Sequence, residues 1–68
     1  MNKTQKYLIE YKIRDIICFI SFDNNLSLEE SMELFFNSNI FEKLQDIETG
    51  LYTESSSYIY EYFKEELK

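Results

Sequence analysis

The sequence predicts an all-α protein, a compact bundle of four helices in a single domain that spans residues 1–68. Three observations predict this class. The chain has no proline and one glycine, so few residues interrupt a helix. Apolar residues recur at the three- and four-residue spacing of one helix face. Short polar segments separate the apolar ones, which is typical of antiparallel neighbours in a bundle.

The first helix is predicted over residues 3–22. Its apolar positions have helical spacing and form one stripe: Leu8, Ile9, Ile13, Ile16, Ile17 and Ile20. A second group extends this stripe on one flank: Tyr7, Tyr11, Cys18 and Phe22. Because the resulting arc is wider than a surface helix needs, we expect a homodimer through residues 3–22. An aspartate at Tyr11 or Ile13 should alter that dimer. Cys18 has apolar neighbours and is expected to be buried.

The second helix is predicted over residues 28–37. The polar residues 23–25 favour a turn before it. Ser27 and Glu30 have the spacing of a capping box, in which the two side chains satisfy each other's backbone N–H groups. The inward face is expected to hold four apolar side chains: Leu28, Met32, Phe35 and Phe36.

A third helix is predicted over residues 40–48, after a polar break at residues 37–39. Its inward side chains are expected to be Ile40, Phe41, Leu44 and Ile47. Gly50 should end this helix, because glycine adopts the left-handed conformation without a Cβ penalty. Leu51 and Tyr52 then either fold back as a lid on the core or form an exposed apolar contact.

The fourth helix is predicted over residues 56–67, with one of the serines at residues 55–57 as its N-cap. Its core positions are expected to be Ile59, Tyr62, Phe63 and Leu67. Tyr58 and Tyr60 lie off this stripe and are therefore expected at the surface.

Charge is distributed unevenly along the chain. Residues 1–20 contain four basic and two acidic side chains, a balance of +2, whereas residues 21–68 contain three basic and eleven acidic ones, a balance of −8. The second part would repel a phosphate backbone, so direct nucleic-acid binding is not expected. It would attract a protein partner with a basic surface. The apolar run at residues 16–20 is too short to cross a membrane, and a single cysteine fits a reducing cytoplasm.

The composition argues against an enzyme. The chain has no histidine, which is the commonest general base and metal ligand, and no glycine-rich phosphate loop. Acidic side chains four residues apart, such as Glu29 and Glu33, are typical of a solvated helix face. No catalytic residue, metal site or cofactor is therefore predicted.

Tyrosine gives the strongest indication of a binding surface. Six tyrosines in so short a chain cannot all be interior, and tyrosine is enriched where proteins bury surface against partners. The predicted partner contacts are Tyr7, Tyr11, Glu48, Leu51, Tyr52, Tyr58 and Tyr60.

Three segments carry a family resemblance: the Tyr/Ile-rich start, residues 26–35 and residues 41–44. Residues 48–52 and 58–61 resemble only some members of that family. In the order of these segments along the sequence, the chain resembles a family of small uncharacterised helical proteins of Firmicutes and related bacteria. These are often encoded beside ADP-ribosyltransferase-like toxins, so the resemblance implies an antitoxin or accessory role.

The expected function is therefore a small acidic protein-binding module, with a toxin as the partner that the resemblance implies. The alternative is an inhibitor from a phage or other mobile element that mimics nucleic-acid charge to block a host defence enzyme. Binding that weakens steeply with salt would favour the alternative.

Overall fold

The computed structural model describes residues 1–68, and its longest helix sets the length of the molecule. The helices are α1 (Lys3–Asn24), α2 (Leu28–Phe36), α3 (Asn39–Gln45) and α4 (Ser56–Glu66), with 3-10 turns at Ile47–Thr49 and Leu51–Thr53. The 22 residues of α1 span about 33 Å at the usual helical rise. This is close to the longest dimension of 34 Å, so the other elements pack along α1. The predicted all-α bundle of four helices is confirmed.

Local side-chain caps fix the helix ends. Asn2 and Gln5 form a capping box at the start of α1, and Ser27 and Glu30 form the predicted one at the start of α2. Ser55 is the serine that caps α4. At its other end α1 continues to Asn24, two residues beyond the prediction, because the left-handed residue is Asn25, with φ of 54°.

The third helix is shorter than predicted, since α3 ends at Gln45 and not at residue 48. Asp46 has extended backbone, and its carboxylate accepts a hydrogen bond from the N–H of Glu48 at 3.1 Å, so it starts the next turn. Gly50 has the expected left-handed φ of 70°, but it closes the turn Ile47–Thr49 and does not cap α3.

The core is one apolar cluster with contributions from all four helices. Its buried members are Ile9, Ile16, Ile17, Ile20, Phe35, Ile40, Leu44, Ile59, Tyr60 and Phe63. Phe35 is fully buried at its centre, with ring centroids 5.4 Å from Phe41 and 5.6 Å from Phe63. Leu51 and Tyr52 pack against this cluster, so the lid alternative is the observed one.

Two helices present a different face to the core from the one predicted. In α2 the buried residues are Ser31 and Phe35, while Leu28, Met32 and Phe36 are exposed. In α4, Tyr60 is buried with Ile59 and Phe63, whereas Tyr62 and Leu67, predicted to be core residues, are exposed. The predictions placed the largest apolar residues inward. In α2 the small side chain of Ser31 is buried instead of larger apolar ones. In α4 the hydroxyl of Tyr60 has a hydrogen-bond partner that allows its burial, as described below.

Cys18 is exposed, so the prediction that it is buried was wrong. With 3.6 residues per turn, Cys18 lies on the opposite side of α1 from the buried Ile9 and Ile20. None of the helices is both long enough and apolar enough to cross a membrane.

Candidate functional site

A cleft of about 270 Å³ lies between α3, the two 3-10 turns and α4. Its lining residues are Ile40, Lys43, Thr49, Gly50, Leu51, Glu54, Tyr58 and Tyr62. Ile40 and Leu51 form apolar surface, and the remaining side chains surround it with hydroxyl groups and charges. This mixture of an apolar surface and a few convergent polar groups is typical of binding clefts.

An interacting pair of tyrosines forms the α4 side of the cleft. Tyr58 and Tyr62 are one helical turn apart, and their rings meet edge to face with centroids 5.0 Å apart. The hydroxyl of Tyr58 donates to that of Tyr62 at 3.2 Å. Even so, the two residues expose 45% and 47% of their surfaces. The pair is therefore an ordered aromatic surface that the core does not use.

The cleft is lined by one acidic and one basic side chain, Glu54 and Lys43, within a chain segment whose net charge is negative. Residues 42–54 contain four acidic side chains and one basic side chain, Lys43. The pKa of Tyr58 is raised, first by its hydrogen bond to Tyr62 and further by the nearby carboxylate of Glu54. The phenol of Tyr58 is therefore neutral near neutral pH. Aromatic rings beside a carboxylate attract cationic groups through the ring quadrupole and through charge.

The turns after α3 position the side of the cleft that residues 49–51 form. The hydroxyl of Thr49 donates to the carbonyls of Lys43 at 2.6 Å and Asp46 at 2.8 Å, which ties the first turn to the end of α3. Gly50 then reverses the chain through its positive φ. These local interactions direct Leu51 toward the cleft and the core.

Of the predicted partner contacts, Leu51 and Tyr58 line the cleft. Glu48 is exposed in the adjoining turn, next to Thr49. Tyr52 is half-buried and faces α1, where its hydroxyl accepts a hydrogen bond from the amide of Gln5 at 3.1 Å. The structure therefore places two of these four residues in the cleft, Glu48 lies in the adjoining turn outside its lining, and Tyr52 has a structural role.

The other three predicted contacts lie elsewhere. Tyr7 and Tyr11 are exposed on α1, where their rings meet edge to face at 6.3 Å. Tyr60 is 6% exposed and cannot be a surface contact, which corrects its assignment. Its hydroxyl donates to the carboxylate of Asp23 at 2.8 Å, so the ring can enter the core with its polar atom satisfied.

Six of the eight cleft residues were not predicted as contacts: Ile40, Lys43, Thr49, Gly50, Glu54 and Tyr62. Tyr62 was assigned to the core because of its spacing from Ile59. A different signal was available, because Tyr58 and Tyr62 have the i,i+4 spacing that places two rings side by side on a helix. The positions of Lys43 and Glu54 depend on the turns between α3 and α4, and helical periodicity contains no information about those turns.

No group of three or more Cys, Asp or Glu side chains is arranged to hold a metal ion. Comparison of the chain with protein-family models, curated proteins and solved structures found no match.

Proposed function

We propose that this protein is a small protein-binding module whose α3–α4 cleft takes a basic side chain of a partner protein. The observation that carries the proposal is the exposed, hydrogen-bonded pair of Tyr58 and Tyr62 beside Glu54. Tyrosine contributes large contact area with little loss of side-chain entropy, and an arginine or lysine can stack on its ring. Glu54 in the cleft and the net negative charge of residues 42–54 support the same class of partner.

We further propose a bacterial, cytoplasmic setting in which the partner is a toxin encoded nearby, with this protein as its antitoxin or accessory factor. The support for this partner is the family resemblance of residues 26–35 and 41–44. The support for the compartment is a single cysteine, which a reducing cytoplasm keeps as a thiol.

The proposal predicts that the cleft tyrosines dominate partner affinity. The protein would be co-expressed with the product of the neighbouring gene, and affinity measured by calorimetry for Tyr58→Ser and Tyr62→Ser. Loss of an aromatic contact at the centre of an interface costs about 2 kcal/mol, so affinity should fall roughly 30-fold.

Tyr7→Ser is the matched control, because Tyr7 is a comparably exposed tyrosine on α1, outside the cleft. It should bind like the wild type. If no complex forms, and growth in the presence of the toxin is not restored, the antitoxin role is wrong. If the Tyr58→Ser and Tyr62→Ser variants bind as tightly as the wild type, the cleft is not the binding site.

The alternative proposal is a charge-mimicking inhibitor of a nucleic-acid-binding enzyme. It draws support from the balance of −8 over residues 21–68 and from the exposed carboxylates of α2, Glu29, Glu30 and Glu33. Such binding would weaken steeply as salt screens the charges, and it would survive loss of Tyr58 or Tyr62. The two proposals therefore differ in how steeply binding weakens with salt and in the response to the same variants.

A further inference from the structure

A second concave surface lies between α2 and the end of α4, and we call it the α2–α4 groove. Its volume of about 520 Å³ is within the range of about 300–1,000 Å³ that is typical of ligand sites. Three leucines and three glutamates make up most of its lining: Leu26, Leu34 and Leu67, with Glu30, Glu33 and Glu66. Apolar surface and negative charge therefore face the same space.

The leucines of the groove have apolar surface that the rest of the chain does not cover. Leu34 is 37% exposed and Leu67 is 53% exposed. Leu26 is half-buried and packs against the core, which holds this side of the groove in place. An apolar side chain of a partner that enters the groove therefore removes leucine surface from water, which favours binding.

The glutamates of the groove have no basic partner within the chain. The two ion pairs of the protein lie along α4, between Lys64 and Glu61 and between Lys68 and Glu65. No lysine or arginine lines the groove. Its three carboxylates therefore leave a negative charge uncompensated, and the group that complements this charge is a cation next to apolar surface.

Hydrogen bonds within the chain hold two of these carboxylates in position. Glu30 accepts a hydrogen bond from the N–H of Ser27 at 3.0 Å, and its hydrogen bonds with Ser27 lower its pKa, so it stays ionised at neutral pH. Glu66 accepts hydrogen bonds from two N–H groups at the start of α3. Glu33 is exposed, and its carboxylate forms no ion pair. Glu33 is therefore the carboxylate that is freest to meet a partner.

We propose that the α2–α4 groove binds a segment of the partner protein in which leucine-type side chains are next to lysine or arginine. The apolar side chains of this segment cover Leu34 and Leu67. Its basic side chains lie against Glu33 on the α2 side of the groove and against Glu66 on the α4 side.

Glu66 connects the groove to the cleft. It lies one helical turn from Tyr62 on α4, and it accepts a hydrogen bond from the N–H of Ile40 at 2.9 Å. Tyr62 and Ile40 both line the cleft. One partner can therefore occupy both sites, and two linked contacts give a higher affinity than either one alone. The inference rests on the proposed function only for the identity of that partner.

NMR titration with a synthetic peptide tests the groove without the partner protein. The probe is a capped peptide with two central leucines between pairs of arginines, and the control peptide has glutamate in place of each arginine. The arginine peptide should shift the amide signals of residues 33–38 and 66–67 with a dissociation constant of about 1 mM, whereas the glutamate peptide should shift none of them.

Three results overturn the proposal. The first is that the arginine peptide shifts no signal, or only signals around Tyr58 and Tyr62. The second is that the two peptides shift the groove signals equally. The third is that these signals shift with protein concentration alone, because a second copy then covers the groove. None of these results bears on the cleft, whose variants are tested with the partner protein itself.

Matched substitutions identify the contacts. Glu33→Gln and Leu67→Ala should each raise the dissociation constant of the arginine peptide about three- to fivefold, because they remove a carboxylate and exposed leucine surface from the groove. The controls are Glu29→Gln and Leu28→Ala, which change an exposed glutamate and a 56% exposed leucine of α2 outside the groove, and both should bind like the wild type. Equal losses in variants and controls overturn the proposal, because binding then reflects a general attraction to the acidic surface.

Discussion

Tyr60 is buried because its one polar side-chain atom has a hydrogen-bond partner inside the protein. Its ring lies in the core, with its centroid 5.3 Å from that of Phe19, and its hydroxyl reaches the carboxylate of Asp23. Burial, and then the hydrogen bond and charge of Asp23, raise the pKa of Tyr60 to about 12. The phenol therefore links α4 to the last turn of α1 as long as it is protonated.

The first prediction concerns the pH dependence of this link. The folded state holds the phenol in its neutral form, so the stabilisation is complete below about pH 10 and is lost as pH rises from about 10 to about 12. Tyr60→Phe should lower the free energy of unfolding by about 1 kcal/mol near neutral pH. The difference between wild type and variant should then shrink across that alkaline range, as measured by urea unfolding. A difference that does not change with pH would contradict this account.

Sequence patterns predicted individual residues well where the interaction was local. Ser27 and Glu30 interact within one turn, and their capping box is present as expected. Tyr60 was placed incorrectly because its partner, Asp23, is 37 residues away. Cys18 was placed incorrectly because its neighbours Ile16, Ile17, Phe19 and Ile20 all lie in or against the core, whereas Cys18 itself points to the opposite side of α1.

At the scale of elements, the shortest helix depends on a residue from another helix. Ser38 caps α3 from within the local sequence, through the N–H of Phe41. Glu66, at the end of α4, accepts hydrogen bonds from the N–H groups of Asn39 at 2.8 Å and Ile40 at 2.9 Å. A carboxylate at a helix N-terminus satisfies free N–H groups and complements the helix dipole. Glu66 therefore completes the cap of α3 and joins it to α4.

The second prediction tests this cap. Glu66→Ala should lower the free energy of unfolding by about 1–2 kcal/mol, because two N–H groups lose a charged acceptor. Amide hydrogen exchange should also accelerate at Asn39 and Ile40. The control is Glu65→Ala, since Glu65 pairs with Lys68 at an exposed site and should contribute less than about 1 kcal/mol. Equal losses in the two variants would show that the position of the carboxylate at α3 has no special effect.

The existence and order of the helices could be predicted from periodicity and caps, but their rotation could not. In α2 the inward face is centred on Ser31, which is fully buried and whose hydroxyl donates to the carbonyl of Ser27 at 2.8 Å. This bond removes the cost of burying a polar side chain, so a small residue can occupy the face next to α1. A ranking by side-chain hydrophobicity puts Met32 there instead.

At the scale of the whole molecule, stability depends on a small aromatic core. A domain of this length has a free energy of unfolding on the order of 5 kcal/mol. Phe35 contacts the aromatic side chains of both α3 and α4 and is fully buried. A single core side chain is therefore a large fraction of what holds the four helices together.

The third prediction concerns the contribution of Phe35 to the free energy of unfolding. Phe35→Ala should lower the free energy of unfolding by about 3–5 kcal/mol, so most of the helical circular dichroism signal should be lost near body temperature. Leu67→Ala is the control, because Leu67 is 53% exposed and should change stability by less than about 1 kcal/mol. A Phe35→Ala variant that melts cooperatively close to the wild-type temperature would show that the core is supported elsewhere.

The cleft is a property of the whole fold, which is why its composition was predicted only in part. Leu51 and Tyr58 were identified from their types and their neighbourhood in sequence. Ile40 and Lys43 reach the cleft only because α3 ends at Gln45 and the two turns bring the chain back toward it. That ending depends on the carboxylate of Asp46, which accepts a hydrogen bond from the N–H of Glu48 and starts the next turn.

The contact of Glu66 with the start of α3 also bears on how the chain folds during synthesis. Glu66 lies 27 residues beyond Asn39. A growing chain can form α1 and α2 while α3 still has water at its first N–H groups. The α3–α4 unit, and the cleft that it forms, can close only after residue 66 has left the ribosome tunnel. The cleft is therefore completed only after all the helices that line it have been synthesised.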